Sequence, residues 1–204
     1  MSEFISNVLK LISGSIIAQI IAIGLIPIIT RLYTPEDYGL FSLILAISGI
    51  IVVFSSLSYQ LTIMLPKEDV DAAHIVILCC ILIMGSTFFS AIFIFLFSHQ
   101  IGVLLQAPTI GEYLWPISII ILLSAFFLVF TYWNSRRKRF GLYAIANIVN
   151  SITIRGIQLG IGIISASPLG LIIGYLFGNI CSILVMLKDF NKDISIFRKI
   201  KILQ

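Results

Sequence analysis

The stretch IITRLYTPEDYGLFSL, residues 28–43, holds two apolar runs apart with nine residues that include Arg31, Pro35, Glu36, Asp37 and Gly39. A proline followed by acidic residues ends one helix and starts the next. Whether those helices are core helices or membrane spans depends on what flanks the insert. Hydrophobic residues make up 59% of the 204-residue chain and charged residues only 11%. A soluble domain is about half apolar and about a quarter charged. The chain therefore reads as an integral membrane protein, and the quoted stretch as the connection between its first two spans.

A helix that crosses the hydrocarbon layer needs about 20 mostly apolar residues. Six segments qualify: 11–30, 40–64, 75–97, 114–133, 142–164 and 168–187, and none of them contains Asp or Glu. Lipid offers the backbone no hydrogen-bond partners, so each is expected to be helical. Continuous rather than alternating apolar runs exclude a β-barrel. The expected fold class is all-α: a polytopic membrane protein with a six-helix lobe over 1–187. The remaining segment, 188–204, reads as a basic amphipathic tail on the inner membrane surface, or as a linker. The first run is longer than the apolar region of a cleaved signal, and no small-x-small site follows it, so it is expected to be retained.

Orientation follows from the basic residues. With the N-terminus inside, 11 of the 13 Lys and Arg fall at the cytoplasmic ends of the spans, Arg31 lies outside and Arg155 lies within the fifth span. Lys and Arg accumulate in cytoplasmic loops, so both termini are expected to be cytoplasmic. Tyr33, Tyr38, Tyr113, Trp115, Tyr132 and Trp133 stand near span ends, where an aromatic belt would place them. The net charge of +4 is spread beside apolar spans and not gathered in a basic domain, which argues against nucleic-acid binding.

Little here suits a catalyst. Cys79, Cys80 and Cys181 lie in apolar runs without metal spacing, and His74 and His99 flank one span, about 37 Å apart on an ideal helix. The Asp-Val-Asp at 69–71 resembles a glycosyltransferase metal motif but sits in a loop of about ten residues. Neither a nucleophile–base constellation nor a Gly-rich phosphate loop is present. No catalytic residue, metal or cofactor is expected.

The fifth span is the most informative. Asn147, Ser151, Arg155 and Gln158 fall within an arc of about 80° at 100° per residue, so this face is expected to point into a bundle or a wet cavity. Arg155 lies about 20 Å from the inner end and about 14 Å from the outer end of its span. A charge at that depth needs a partner or water. It either snorkels outward, meets a carboxylate from another segment, or binds an anionic substrate, for which its planar fork suits phosphate or diphosphate. Gln19 and Gln60 line the same cavity or bond neighbouring helices. The Arg136-Arg137-Lys138-Arg139 run is a topology determinant or captures anionic head groups. The Gly170-x-x-x-Gly174-x-x-x-Gly178 stripe is a face for static close packing or for sliding.

The residue order in PIITRLYTPEDYGLFSL resembles the junction of the first two spans in the polysaccharide biosynthesis (oligosaccharide flippase) family. That family is part of the multidrug, oligosaccharidyl-lipid and polysaccharide exporter superfamily. Its Pro, Arg-Leu, Thr-Pro-Glu-Asp, aromatic-Gly pattern is matched by Pro27, Arg31, Leu32, Thr34, Pro35, Glu36, Asp37, Tyr38 and Gly39. IMLPKEDVDAA (63–73) is similar to its next inner loop, YWNSRRKRFGLYAIANIVNS to its fourth-to-fifth-span junction, and PLGLIIGYLFGN to its sixth span. Two departures stand out: Gln60 replaces a frequent Glu, and family members have two six-helix lobes, about twice the spans seen here. The chain thus looks like an N-terminal lobe.

The resemblance implies translocation of a polyprenyl-diphosphate-linked oligosaccharide across the bacterial inner (plasma) membrane, as a flippase in surface polysaccharide biosynthesis such as O-antigen. Two lobes would rock around a central cavity, driven by an ion gradient or by coupled glycan synthesis. Arg155 is the first candidate for the diphosphate contact, with Asn147, Ser151, Gln158 and Gln19 as polar lining and Arg31 near the outer mouth. Expected partners are the lipid-linked oligosaccharide, membrane lipids, a second lobe or homo-oligomer partner, and a glycan polymerase. A drug or cation exporter ranks second, because the spans lack the carboxylates a cation needs. A non-transporting half-lobe serving as an assembly partner is the alternative outside transport. A membrane-bound sugar or lipid transferase ranks third.

Overall fold

A computed structural model describes residues 2–104, 108–190, 193, 196 and 197. Six helices carry the fold: α1 (Ser2–Leu32), α2 (Pro35–Ser55), α3 (Asp69–Leu104), α4 (Pro116–Arg136), α5 (Phe140–Ile164) and α6 (Pro168–Leu187). Short 3₁₀ turns at Tyr59–Met64 and Pro108–Tyr113 flank α3. Each of the six helices is long and apolar enough to cross a membrane, and no strand occurs among the described residues. Most of the basic tail expected at 188–204 lies outside the described residues.

The helix starts follow directly from sequence. Pro35, Pro116 and Pro168 stand in the first turns of α2, α4 and α6, where a missing N–H costs nothing. Thr34 and Asp37 form a capping box between α1 and α2. The Asp37 amide donates to Thr34 Oγ1 at 3.1 Å, and the Thr34 amide donates to Asp37 Oδ2 at 2.9 Å. The turn's orphan donors are thereby satisfied by the chain itself.

The second apolar run departs from expectation. A helix was expected through 40–64, but α2 ends at Ser55 and the chain turns through left-handed backbone at Leu57 (φ 48°) and Ser58 (φ 60°). Serine hydroxyls supply the reason, since they compete for backbone carbonyls. Ser55 Oγ donates to the Val52 carbonyl at 2.7 Å, and Ser56 Oγ bonds the Gln60 side chain. Gln60 is therefore a buried local partner within this turn.

Helix α4 packs against α2, α3 and α6, while α5 lies between α1 and α6. Apolar side chains gather in two groups at opposite ends. Near the α1–α2 turn, Ile29, Tyr33, Phe41, Ile44, Leu114, Ile117, Ile121, Leu171 and Ile172 are buried together. Near the basic end the group is Ile63, Ala73, Val76, Ile83, Ala125, Val129 and Trp133. Tyr33 and Trp133, expected in an aromatic belt, are instead core residues, 3% and 1% exposed. Their polar tips explain it: each reaches an internal acceptor, Tyr33 Oη the Gln158 carbonyl at 2.7 Å and Trp133 Nε1 the Asp193 carboxylate at 3.0 Å.

Glycines set the closest approaches. A Cβ added at Gly174 would lie 2.7 Å from Gln158 Cγ and 2.9 Å from the Ile154 carbonyl oxygen, and at Gly178 it would lie 3.1 Å from the Asn150 carbonyl oxygen. A Cβ at Gly170 would collide with the Tyr33 hydroxyl. The α6 glycine stripe is thus occupied in close packing on α5. At the other side of α5, Gly14 of α1 presses on Ala144.

At the basic end two aspartates bind the arginine run. Arg136 Nε donates to Asp69 at 3.1 Å, with its Nη1 on the carbonyls of Ile63 (3.1 Å) and Pro66 (2.8 Å). Arg137 pairs with Asp69 and, at 3.4 Å, with Asp193. Arg139 grips Asp193 with two hydrogen bonds of 2.6 and 2.8 Å. Lys138, exposed and left-handed (φ 55°), is the one residue of the run that turns outward. The Asp-x-Asp motif therefore spends Asp69 on ion pairing.

Asp193 is fully buried, so Asp193→Ala strands the Arg139 guanidinium and the Trp133 indole N–H and leaves Arg137 with Asp69 alone. We expect it to cost about 3–5 kcal/mol, read as a lowered unfolding temperature and a red-shifted tryptophan emission in detergent. Gly174→Val is expected to destabilise by about 1–3 kcal/mol through overpacking. Gly85→Ala, where nothing lies within 4 Å, serves as the comparison and leaves stability unchanged or slightly raised.

Candidate functional site

A cleft of about 310 Å³ opens between α1 and α5. Ser15, Ala18, Gln19 and Ala22 face it from α1. From α5 it is lined by Tyr143, Asn147, Asn150 and Ser151, positions about one helical turn apart. The contact between Gly14 and Ala144 closes the helices just below this level. Above it, Ala18 and Ala22 are too small to fill the gap, and polar α5 side chains border the space that remains.

Three of the expected residues thus come together: Gln19, Asn147 and Ser151. Ser15, Tyr143 and Asn150 join them. A signal for these existed, since Tyr143, Asn147 and Ser151 repeat every fourth residue, as Ser15 and Gln19 do. Asn150 also reaches α6, where its Nδ2 donates to Ser182 Oγ at 3.4 Å.

Arg155 lies four residues beyond Ser151, about 6 Å further along the axis. It is partly exposed, and its Nη1 donates to Gln158 Oε1 at 3.0 Å. Among the described residues no carboxylate pairs with it; the ion pairs found belong to Arg136, Arg137 and Arg139. A guanidinium has five N–H donors in a fork that matches phosphate oxygens, so most of its capacity is open to an anion.

Gln158, expected to line the cavity, is fully buried and lies outside the cleft. Its Nε2 donates to the Leu171 carbonyl of α6 at 3.1 Å, and its own carbonyl accepts from Tyr33 Oη. It therefore ties α5 to α6 and to the α1–α2 turn while holding Arg155 in place. Burial, with Tyr38 and Asp37 nearby, raises the Tyr33 phenol above its ordinary pKa, which keeps it a hydrogen-bond donor. Arg31, in the last turn of α1, is exposed and does not reach the cleft. Among the described residues, no three His, Cys, Asp or Glu side chains are arranged to hold a metal ion.

Gln158→Leu removes the bond to Leu171 and the support of Arg155. It is expected to lower stability by about 1–3 kcal/mol, measurable as a shift in thermal unfolding, while leaving the cleft lining itself intact.

Comparison with curated proteins and with solved structures returned no match. A family model described as polysaccharide biosynthesis protein matches residues 28–203, from the α1–α2 turn through α6 and beyond. That match takes in the capping box, the arginine run, all of α5 and the glycine stripe. By its extent, the chain belongs to the polysaccharide biosynthesis protein family.

Proposed function

We propose that this protein is a non-catalytic transporter that moves a polyprenyl-diphosphate-linked oligosaccharide from the inner to the outer leaflet of a bacterial plasma membrane. Family membership supports a role in polysaccharide biosynthesis, and six spanning-length helices support a multi-pass membrane protein. The observation that carries the finer reading is Arg155. It is a permanent cation deep in a span, held by Gln158 and without a carboxylate partner among the described residues. Such a charge is costly in a membrane unless hydrated or matched by an anion. A diphosphate is the anion that a lipid-linked glycan brings.

In this reading Arg155 binds the diphosphate while the polyprenyl tail stays in the bilayer. Arg31 offers a second contact near the outer mouth. A second wall, supplied by another lobe or another copy, completes the cavity, and a glycan polymerase takes up the product. Export of a cationic drug is the weaker reading, because the spans hold no carboxylate beyond their first turns to receive it.

The test is flipping of a polyprenyl-diphosphate-linked sugar in proteoliposomes, with restoration of surface polysaccharide in cells lacking the protein. Arg155→Ala is expected to slow translocation by about tenfold or more, and Arg155→Lys to retain part of it. Unchanged flipping by Arg155→Ala would remove the anion-contact role.

A further inference from the structure

Polar side chains in these spans differ in what engages them, and some, such as Gln158 and Asn150, bond a neighbouring helix. Most bond back to their own helix: Ser48 Oγ to the Ile44 carbonyl at 2.7 Å, Thr131 Oγ1 to Phe127 at 2.8 Å, Asn179 Nδ2 to Tyr175 at 2.8 Å and Asn134 Nδ2 to Phe130 at 2.9 Å. Their donors are engaged without a ligand. Gln19, Asn147 and Ser151 differ. They face one another across the α1–α5 cleft, and among the described residues none of them makes a side-chain hydrogen bond. A spanning segment seldom keeps several polar groups unengaged on two facing helices unless something else engages them.

The chemistry of the cleft says what that is. Its lining is two Ala, two Ser, two Asn, one Gln and one Tyr, with no charge of either sign. A diphosphate or a cation taken out of water needs a counter-charge, and this lining offers none. Amides and hydroxyls both donate and accept. That suits a ligand whose own groups do both, as sugar hydroxyls do, and is poorly matched to a phosphate, which only accepts. Tyr143 adds a flat apolar surface of the kind the C–H face of a sugar ring packs on. Arg155 follows about 6 Å beyond Ser151 on the same helix, close enough for adjoining parts of one molecule to occupy both.

Building on the flippase reading above, we propose that the cleft is a sugar subsite distinct from the anion contact. Gln19, Asn147 and Ser151 hydrogen-bond the uncharged sugar attached to the diphosphate, Tyr143 packs on its ring, and Ala18 and Ala22 leave room for it. Arg155 reads the diphosphate and is indifferent to the glycan. The cleft sets which first sugar is accepted.

The experiment uses the purified full chain in nanodiscs and two probes, bare polyprenyl diphosphate and polyprenyl diphosphate bearing one hexose, with affinities measured by thermophoresis. Wild type is expected to bind the sugar-bearing probe more tightly. Asn147→Ala and Ala18→Leu are each expected to weaken that probe about five- to tenfold, the worth of one or two neutral hydrogen bonds, without a matching loss on the bare one. Arg155→Ala is expected to weaken both. Should Ala18→Leu not fold, Ser151→Ala takes its place. Equal losses on both probes, or no loss on either, overturn the sugar subsite. If Arg155→Ala leaves both affinities intact while Asn147→Ala acts as expected, the subsite stands and the diphosphate role falls. A wild type that binds neither probe removes both.

Discussion

Helix α5 is gripped from two sides through glycine. Lipid tails are as apolar as leucine, so association of helices within a bilayer depends on close packing and hydrogen bonds and not on the hydrophobic effect. Gly14 brings α1 onto Ala144, while Gly174 and Gly178 bring α6 onto the backbone of Ile154 and Asn150. With both flanks used, the directions of the remaining α5 side chains follow. Gln158 enters the α6 interface, Asn147 and Ser151 turn toward α1, and Arg155 is braced between these environments by Gln158. Cleft and cation are consequences of how one helix is wedged between two others.

The two ends of the bundle are secured by different physics. At the α1–α2 turn, Thr34 and Asp37 cap α2 and Tyr33 reaches across to α5, so the contacts are hydrogen bonds within a largely apolar group. At the basic end, three arginines close on Asp69 and Asp193. That cluster joins the start of α3, the α4–α5 turn and the segment after α6. With Asp193 fully buried and the arginines mostly covered, salt screens this clasp weakly, and it responds chiefly to loss of a carboxylate.

Much of this was legible in the residues. Apolar length and the lack of acids disclose the helices, and Thr34, Pro35 and Asp37 disclose a helix start. The polar stripe of α5 shows which face matters. Angular position, however, does not say what covers that face at each level. Gln158 lies only about 20° from Asn147 around the axis but about 16 Å further along it, where α6 rather than α1 is the neighbour. Nor does local reading reveal partners remote in sequence. Arg136 meets Asp69 across 67 positions and Arg139 meets Asp193 across 54. Trp133 looks like a belt residue until Asp193 is brought beside it. The early end of α2 was hidden because Ser55, Ser56 and Ser58 interrupt an otherwise apolar run whose hydropathy barely registers them.

Helix α3 has 36 residues against 21 in α2, which makes it about 54 Å long beside a neighbour of about 32 Å. A hydrocarbon layer is about 30 Å thick, so α2 matches it and α3 exceeds it by about 24 Å. Beyond Ser98, His99 and Gln100, the overshooting end still carries strongly exposed Val103 and Leu104. Such an end is served poorly by water. It is accommodated by leaning the helix or by drawing a thicker rim of bilayer around it. The extra length of this one helix is thus taken up by tilt, which packing against its neighbours sets.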